Sequence, residues 1–167
     1  MEKNDKDFQA VYYEFYLKAR WAEMNKQENK FPYFHKLQQI SPDDDFMKIL
    51  DELKQEMISG SYELSIGSKL LHTRNDSFPI YDSKVREYLL NVENVEFWWN
   101  VRGTSMPKGT SKREQIKHDW ETLCNWYKSF LASARGIQWI NWFDENFPNH
   151  KDISDVKKID FIIFATN

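Results

Sequence analysis

The chain has 167 residues, of which 41% are hydrophobic and 16% aromatic, and its formal net charge is −3 at pH 7. This length fits one domain with a core of its own, and five glycines and five prolines are too few for a turn-rich β-sandwich. The acidic balance argues against a protein that binds nucleic acid by overall charge alone. We therefore expect a single helical domain over residues 1–167, with aromatic rings filling much of its core.

The sequence also bears on the compartment in which the chain works. The N-terminal residues are charged and no apolar run follows them, which argues against a signal peptide, and no segment approaches the roughly 18 consecutive apolar residues of a membrane span. Cys124 is the only cysteine, so an intramolecular disulfide is excluded, and its place between two tryptophans indicates packing rather than a nucleophile. We expect a cytoplasmic protein that contacts no membrane.

The first predicted elements are helices with one apolar face. Apolar residues recur at three- and four-residue steps from Asp7 to about Asn25, and a short helix is predicted from Phe31 to Gln39. The run 41–45, Ser-Pro-Asp-Asp-Asp, is the clearest helix start, because Ser41 can cap and the acids favour the positive end of the helix dipole. These acids lack the alternating spacing of a calcium loop. The buried stripe of this helix is predicted to be Phe46, Leu50, Leu53 and Met57.

The middle of the chain is predicted to alternate short helices with non-helical segments. Residues 62–73 form a helical unit that Gly67 is expected to break, and Asn75 to Tyr81 form a turn and an extended return. Asp82 and Ser83 then cap a further helix. After a loop over residues 102–111, helices are predicted at Lys112–Leu131, Ile137–Phe147 and Ser154–Phe164. Together these elements predict an all-α fold of about seven to eight helices.

One short stretch combines a turn with a lysine. The run Ser65-Ile66-Gly67 is predicted to bend sharply and to present backbone N–H groups at a helix start, which suits a phosphate. Lys69 falls in the first turn of that helix, and the extended return is long enough to bring Asp82 back beside it. A structural interpretation stays open, since Asp82 is also a good N-cap and a Lys–Asp ion pair can simply join two helices.

The same residues resemble a known family. Leu64 to Lys69 resembles the hairpin of helix-hairpin-helix DNA glycosylases, in which aliphatic–Gly–aliphatic–Gly–x–Lys leads into a helix. Phe78 to Val85 resembles the later Pro-Val-Asp-x-His-Val segment, and the whole stretch 65–85 is similar to small bacterial proteins of 8-oxoguanine DNA glycosylase-like fold. This chain differs at Ser65, which replaces the first hairpin glycine, and at Tyr81, which is inserted before Asp82.

The resemblance implies a helix-hairpin-helix-like element near residues 62–74 and excision of damaged bases from duplex DNA. By position, Lys69 is the nucleophile that attacks the sugar C1′ and Asp82 assists it. Trp98 and Trp99 are candidates for one wall of a base pocket, although core packing is favoured for any single tryptophan. The residues expected to contact nucleic acid, from the turn and from a basic stretch further on, are Ser65, Gly67, Ser68, His72, Lys108, Lys112, Arg113 and Lys117.

Other functions stay open beside this one. The four histidines show no metal-ligand spacing, so we expect no catalytic metal and no cofactor. A non-catalytic nucleic-acid-binding module, or a protein-interaction domain of a bacterial defence or stress system, would also fit the pattern. Fold resemblance alone does not choose among the three.

Overall fold

The part of the chain that the structure describes folds into seven α-helices, and none of its residues lies in a β-strand. The computed structural model describes residues 27–41, 44–56, 60–99 and 106–166, with side chains from residue 33 onward. The all-α prediction is confirmed for these residues, whereas the helix predicted from Asp7 to Asn25 lies outside them. The chain divides into a first unit, residues 1–74, and a second unit, residues 75–167. A single domain over the whole chain stays a prediction.

In the first unit, the described residues form three helices, α1 (Gln27–Gln39), α2 (Phe46–Glu56) and α3 (Leu64–Arg74). Helix α2 packs against both of the others. The shared core is aliphatic and aromatic, as the spacing of the apolar residues predicts. Its fully buried side chains include Tyr33, Leu37, Ile49, Leu50, Leu53 and Leu70.

Helix α2 begins later than the sequence predicts, because Asp45 rather than Ser41 is its cap. The Asp45 carboxylate accepts a hydrogen bond from the Lys48 N–H at 2.9 Å, and its carbonyl accepts one from the Ile49 N–H at 3.1 Å. Asp44 turns back and accepts from the Ser41 N–H at 2.8 Å. Three successive aspartates offer several caps, and the cap that forms is the one directly before the buried Phe46.

Gly67 lies inside α3, so the predicted break at this residue is wrong. Its N–H donates to the Glu63 carbonyl at 2.8 Å, which is an ordinary helical bond. A Cβ at this position would lie 2.4 Å from Cδ2 of Leu50 on α2. Glycine at this position therefore allows α2 and α3 to approach closely, and it does not form a turn. A helical element within residues 62–74 is confirmed, but it is one continuous helix from Leu64 to Arg74.

Outside residues 100–105 and 167, the second unit forms four α-helices, α4 (Ser83–Asn91), α5 (Lys112–Leu131), α6 (Ala134–Asn146) and α7 (Asp155–Thr166), with a short 3₁₀ turn at Pro148–His150. Helix α7 packs against the other three, and α5 also packs against α6. The bounds of α5 agree with the prediction at both ends. Helix α6 starts before the predicted Ile137, because the Ser133 hydroxyl caps it by accepting from the Gly136 N–H at 3.0 Å.

Two further expectations concern membrane-spanning helices and the role of Cys124. None of the described helices has both the length and the apolar character needed to cross a membrane. Cys124 is half-buried on α5, where burial and the nearby Glu121 raise the pKa of its thiol to about 12. A thiol that stays protonated is a poor nucleophile, so its placement favours the predicted packing role.

Candidate functional site

Lys69 is a buried lysine on a buried helix. Eight of the eleven residues of α3 are buried, and Lys69 is only 9% exposed. Its Nζ lies 3.2 Å from the Ser65 hydroxyl oxygen, one helical turn earlier. Lysine is seldom buried unless its ammonium group has polar contacts. The amine is thus held along α3, inside the first unit.

The other α3 residues predicted to contact nucleic acid lie mostly in the interior. Ser68 is fully buried and donates its hydroxyl to the Ser65 carbonyl at 3.0 Å. His72 is also buried, and the Gly67 N–H is used within the helix. Ser65 alone of these four is half-buried. This placement favours packing for Gly67, Ser68 and His72, and their contact with nucleic acid stays a prediction.

Asp82 is the N-cap of α4, as its sequence position predicts. Its backbone is extended, at φ −111° and ψ 154°, and its carboxylate accepts from the Lys84 N–H at 2.9 Å. Burial is the main reason that the pKa of the Tyr127 and Asp160 side chains is raised deeper in the second unit, and the negative charge of Asp82 adds to this effect. Lys69 and Asp82 belong to different units, so their pairing stays a prediction.

A residue that the sequence analysis did not single out organises the segment around Trp98 and Trp99. Asp119 on α5 has no exposed surface, and its carboxylate accepts from the Trp98 N–H at 2.7 Å and the Trp99 N–H at 3.1 Å. The Tyr81 hydroxyl donates to it as well, at 3.1 Å. A signal was present in the sequence, since Asp119 occupies helical spacing between the apolar Ile116 and Leu123. A charged residue on an apolar helix face implies buried partners.

The two tryptophans lie in an irregular segment after α4, and both are half-buried. The Trp98 ring stacks on the His118 ring with centroids 3.6 Å apart and planes within 2°. His118 in turn lies beside Asp119, with Nδ1 at 3.3 Å from Oδ1. The Trp99 ring has the Lys112 amine 4.7 Å from its centroid, a cation–π contact. We call these four residues, Trp98, Trp99, Lys112 and His118, the aromatic cluster.

The predicted basic residues are exposed on and before the first half of α5. Lys108, Lys112, Arg113 and Lys117 are all exposed, and Lys117 pairs with Glu121 at 3.7 Å. The N-terminus of α5 carries a capping box in which Ser111 and Glu114 bind each other's backbone N–H groups. Because Glu114 already occupies this helix end, a phosphate would have to be bound here by the basic side chains rather than by the backbone N–H groups. Residues 102–105 of the predicted loop lie outside the described part.

No group of three His, Cys, Asp or Glu residues that could hold a metal ion occurs in the described part of the chain. Comparison with protein-family models, with curated proteins and with solved structures finds no match to this chain.

Proposed function

We propose that this protein excises damaged bases from DNA and cleaves the resulting site through a lysine imine, with Lys69 as nucleophile and Asp82 as the assisting carboxylate. The observation that carries this proposal is the burial of the Lys69 amine, 9% exposed and 3.2 Å from the Ser65 hydroxyl, at the position where the sequence resembles a glycosylase nucleophile. Only a neutral amine attacks carbon, so the reaction requires the Lys69 amine to give up a proton before it attacks.

The reaction follows from these two groups. The Nζ lone pair forms a bond to C1′ while the bond from C1′ to the base nitrogen breaks, and the base leaves with that electron pair and a proton. The bond from C1′ to O4′ then breaks with its electron pair on O4′, and the two Nζ protons pass to the base and to O4′, which leaves an imine between Nζ and C1′. Loss of the C2′ proton and of the 3′ phosphate from this imine cleaves the strand, and water then releases the sugar from Nζ. Positive charge develops on the sugar during the first step, and a carboxylate at Asp82 would stabilise it.

Borohydride trapping of the imine on duplexes that carry 8-oxoguanine or an abasic site tests this proposal. The wild-type chain should become covalently linked to DNA, and Lys69→Gln should give no linked product because an amide cannot form the imine. Asp82→Asn should slow trapping by roughly a hundredfold. The fold should survive this second change, since asparagine caps a helix about as well as aspartate.

Lys54→Gln is the matched control for Lys69→Gln. Lys54 is a half-buried lysine of the first unit, with its amine 4.3 Å from the centroid of the Tyr62 ring. This variant should trap DNA at the wild-type rate. A wild-type protein that traps neither duplex, or a Lys69→Gln protein that traps as much as wild type, would rule out the lyase function.

A second candidate, non-catalytic binding of nucleic acid, is favoured by the aromatic cluster. Half-buried rings beside exposed cations are the combination that proteins use to stack bases and track a phosphate backbone. Trp98, Trp99 and Lys112 supply both parts, and Arg113 and Lys117 extend the cations along α5.

The salt dependence of DNA affinity tests this second candidate. Each phosphate contact contributes about 0.9 to the slope of log affinity against log salt concentration on duplex DNA. The double reversal Lys112→Glu and Arg113→Glu should therefore flatten the slope by about 1.8. The control reverses Lys128 and Lys151, which are exposed elsewhere in the second unit, and should leave the slope nearly unchanged. Equal slopes in wild type and the Lys112/Arg113 variant would exclude phosphate contacts at this face.

A further inference from the structure

A buried acid in the second unit has no part in either proposed function. Asp160 on α7 is 3% exposed, and its Oδ1 accepts a hydrogen bond from the Tyr127 hydroxyl on α5. Tyr127 is itself fully inside the unit, at 2% exposed. The other oxygen, Oδ2, is buried and has no hydrogen-bond donor among the described residues. An ionised carboxylate with one unsatisfied buried oxygen is costly, and the neutral acid is much less so.

The charges around Asp160 do not offset this cost. Lys157 on the same helix and Asp82 at the start of α4 act on it in opposite directions, the lysine favouring the carboxylate and the aspartate opposing it. The neighbouring Lys158 is held by two other acids, Asp144 on α6 at 2.9 Å and Asp155 at 3.1 Å. The main effect is therefore burial, which with Asp82 raises the pKa of Asp160 to about 7 against the opposing effects of Tyr127 and Lys157.

We propose that Asp160 is a proton-linked switch of the second unit, in which the neutral acid joined to Tyr127 stabilises the packing of α7 on α5 and ionisation weakens it. The step itself is the transfer of one proton from the carboxyl group to solvent. Asp82 is the third member of the switch, because its negative charge opposes a second one on Asp160. This device needs no DNA and does not depend on the proposed catalytic function.

The direction of the pH effect follows from where the proton is held. An unfolded aspartic acid loses its proton near pH ~3.9, whereas the folded chain keeps it up to about pH 7. Between these values the folded state binds one proton more than the unfolded state, so stability falls as the pH rises. The unfolding equilibrium constant therefore rises about tenfold per pH unit, and this rise stops above the folded pKa.

Asp160→Asn separates this effect from the other titrating groups. Asparagine has the same shape, stays neutral and can still accept from Tyr127. Urea unfolding of the full chain should be measured from pH 5 to pH 8 for wild type and variant. The unfolding constant of the wild type, divided by that of the variant, should rise about tenfold per pH unit and level off near pH 7. A ratio that stays constant across this range would overturn the proposal.

Two more variants should shift the pH range in which Asp160 titrates, one upwards and the other downwards. Tyr127→Phe removes the hydrogen bond that favours the carboxylate, so the pKa of Asp160 should rise; Asp82→Asn removes the opposing charge, so it should fall. The carboxyl ¹³C shift of Asp160 in the folded chain reports this pKa directly and does not require the variants to be equally stable. A wild-type Asp160 that titrates near pH ~4, or a pKa that neither variant moves, would also overturn the switch.

Discussion

Replacing Asp119 by alanine is expected to destabilise the second unit by roughly 3–5 kcal/mol, because it removes a fully buried carboxylate that is the acceptor of three donors at once. The N–H groups of Trp98 and Trp99 and the hydroxyl of Tyr81 all donate to this carboxylate. Each buried donor left without an acceptor costs about 1–3 kcal/mol. Since a domain is stable by only ~5–15 kcal/mol, this loss is a large share of the total.

Urea unfolding followed by tryptophan fluorescence measures this loss. Asp119→Asn should have an intermediate effect, since one carboxylate oxygen becomes an NH₂ group that faces another donor. Glu121→Ala is the matched control, because Glu121 is an exposed acid on the same helix whose ion pair with Lys117 is open to solvent. It should change stability by no more than about 0.5 kcal/mol. If Asp119→Ala unfolds at the same urea concentration as Glu121→Ala, Asp119 does not anchor the segment.

Gly136→Ala is expected to destabilise the second unit by roughly 2–3 kcal/mol, although the same change in an ordinary helix is stabilising by ~1 kcal/mol. Gly136 lies in the first turn of α6, just after the corner with α5. A Cβ there would lie 1.9 Å from the carbonyl oxygen and 2.8 Å from the carbonyl carbon of Phe130. These are backbone atoms, so no side-chain rotation relieves the clash and α6 must move away from the end of α5.

The melting temperature of the Gly136→Ala chain measures this effect. Gln138→Ala is the control, because Gln138 is exposed on the same helix and alanine is a good helix former. It should leave the melting temperature nearly unchanged. A Gly136→Ala chain that melts at or above the wild-type temperature would show that the corner between α5 and α6 has room for a side chain.

The features that the sequence determined by itself are those in which neighbouring residues supply the physical cause. Asp82 caps α4 because its carboxylate reaches the N–H of Lys84, two residues on. Helix α5 runs between its predicted ends, Lys112 and Leu131, with a capping box formed by Ser111 and Glu114 at its start. Such bonds form within one turn of backbone and need no knowledge of the rest of the chain.

Other features depended on groups that are far apart in the sequence. A glycine suits a tight turn or a close helix contact equally well, and only Leu50 on α2 decides that Gly67 is used for contact. The position of Asp119 on an apolar helix face indicates burial, but only the tertiary structure shows that its partners are the donors at Tyr81, Trp98 and Trp99. Burial is a property of packing and is not encoded by local spacing alone.

The same reason applies to the ionisable residues on which function would depend. The sequence placed Lys69 on a helix, but tertiary packing decided that its amine would be 9% exposed beside Ser65. Asp160 lies among apolar residues at the end of the chain, and the structure made it a buried acid by setting Tyr127 against it. A side chain's charge state depends on solvent and on charges within a few ångströms. Those neighbours come mostly from other helices. The sequence therefore determined which groups can titrate, and the tertiary structure decided the pH at which each of them does so.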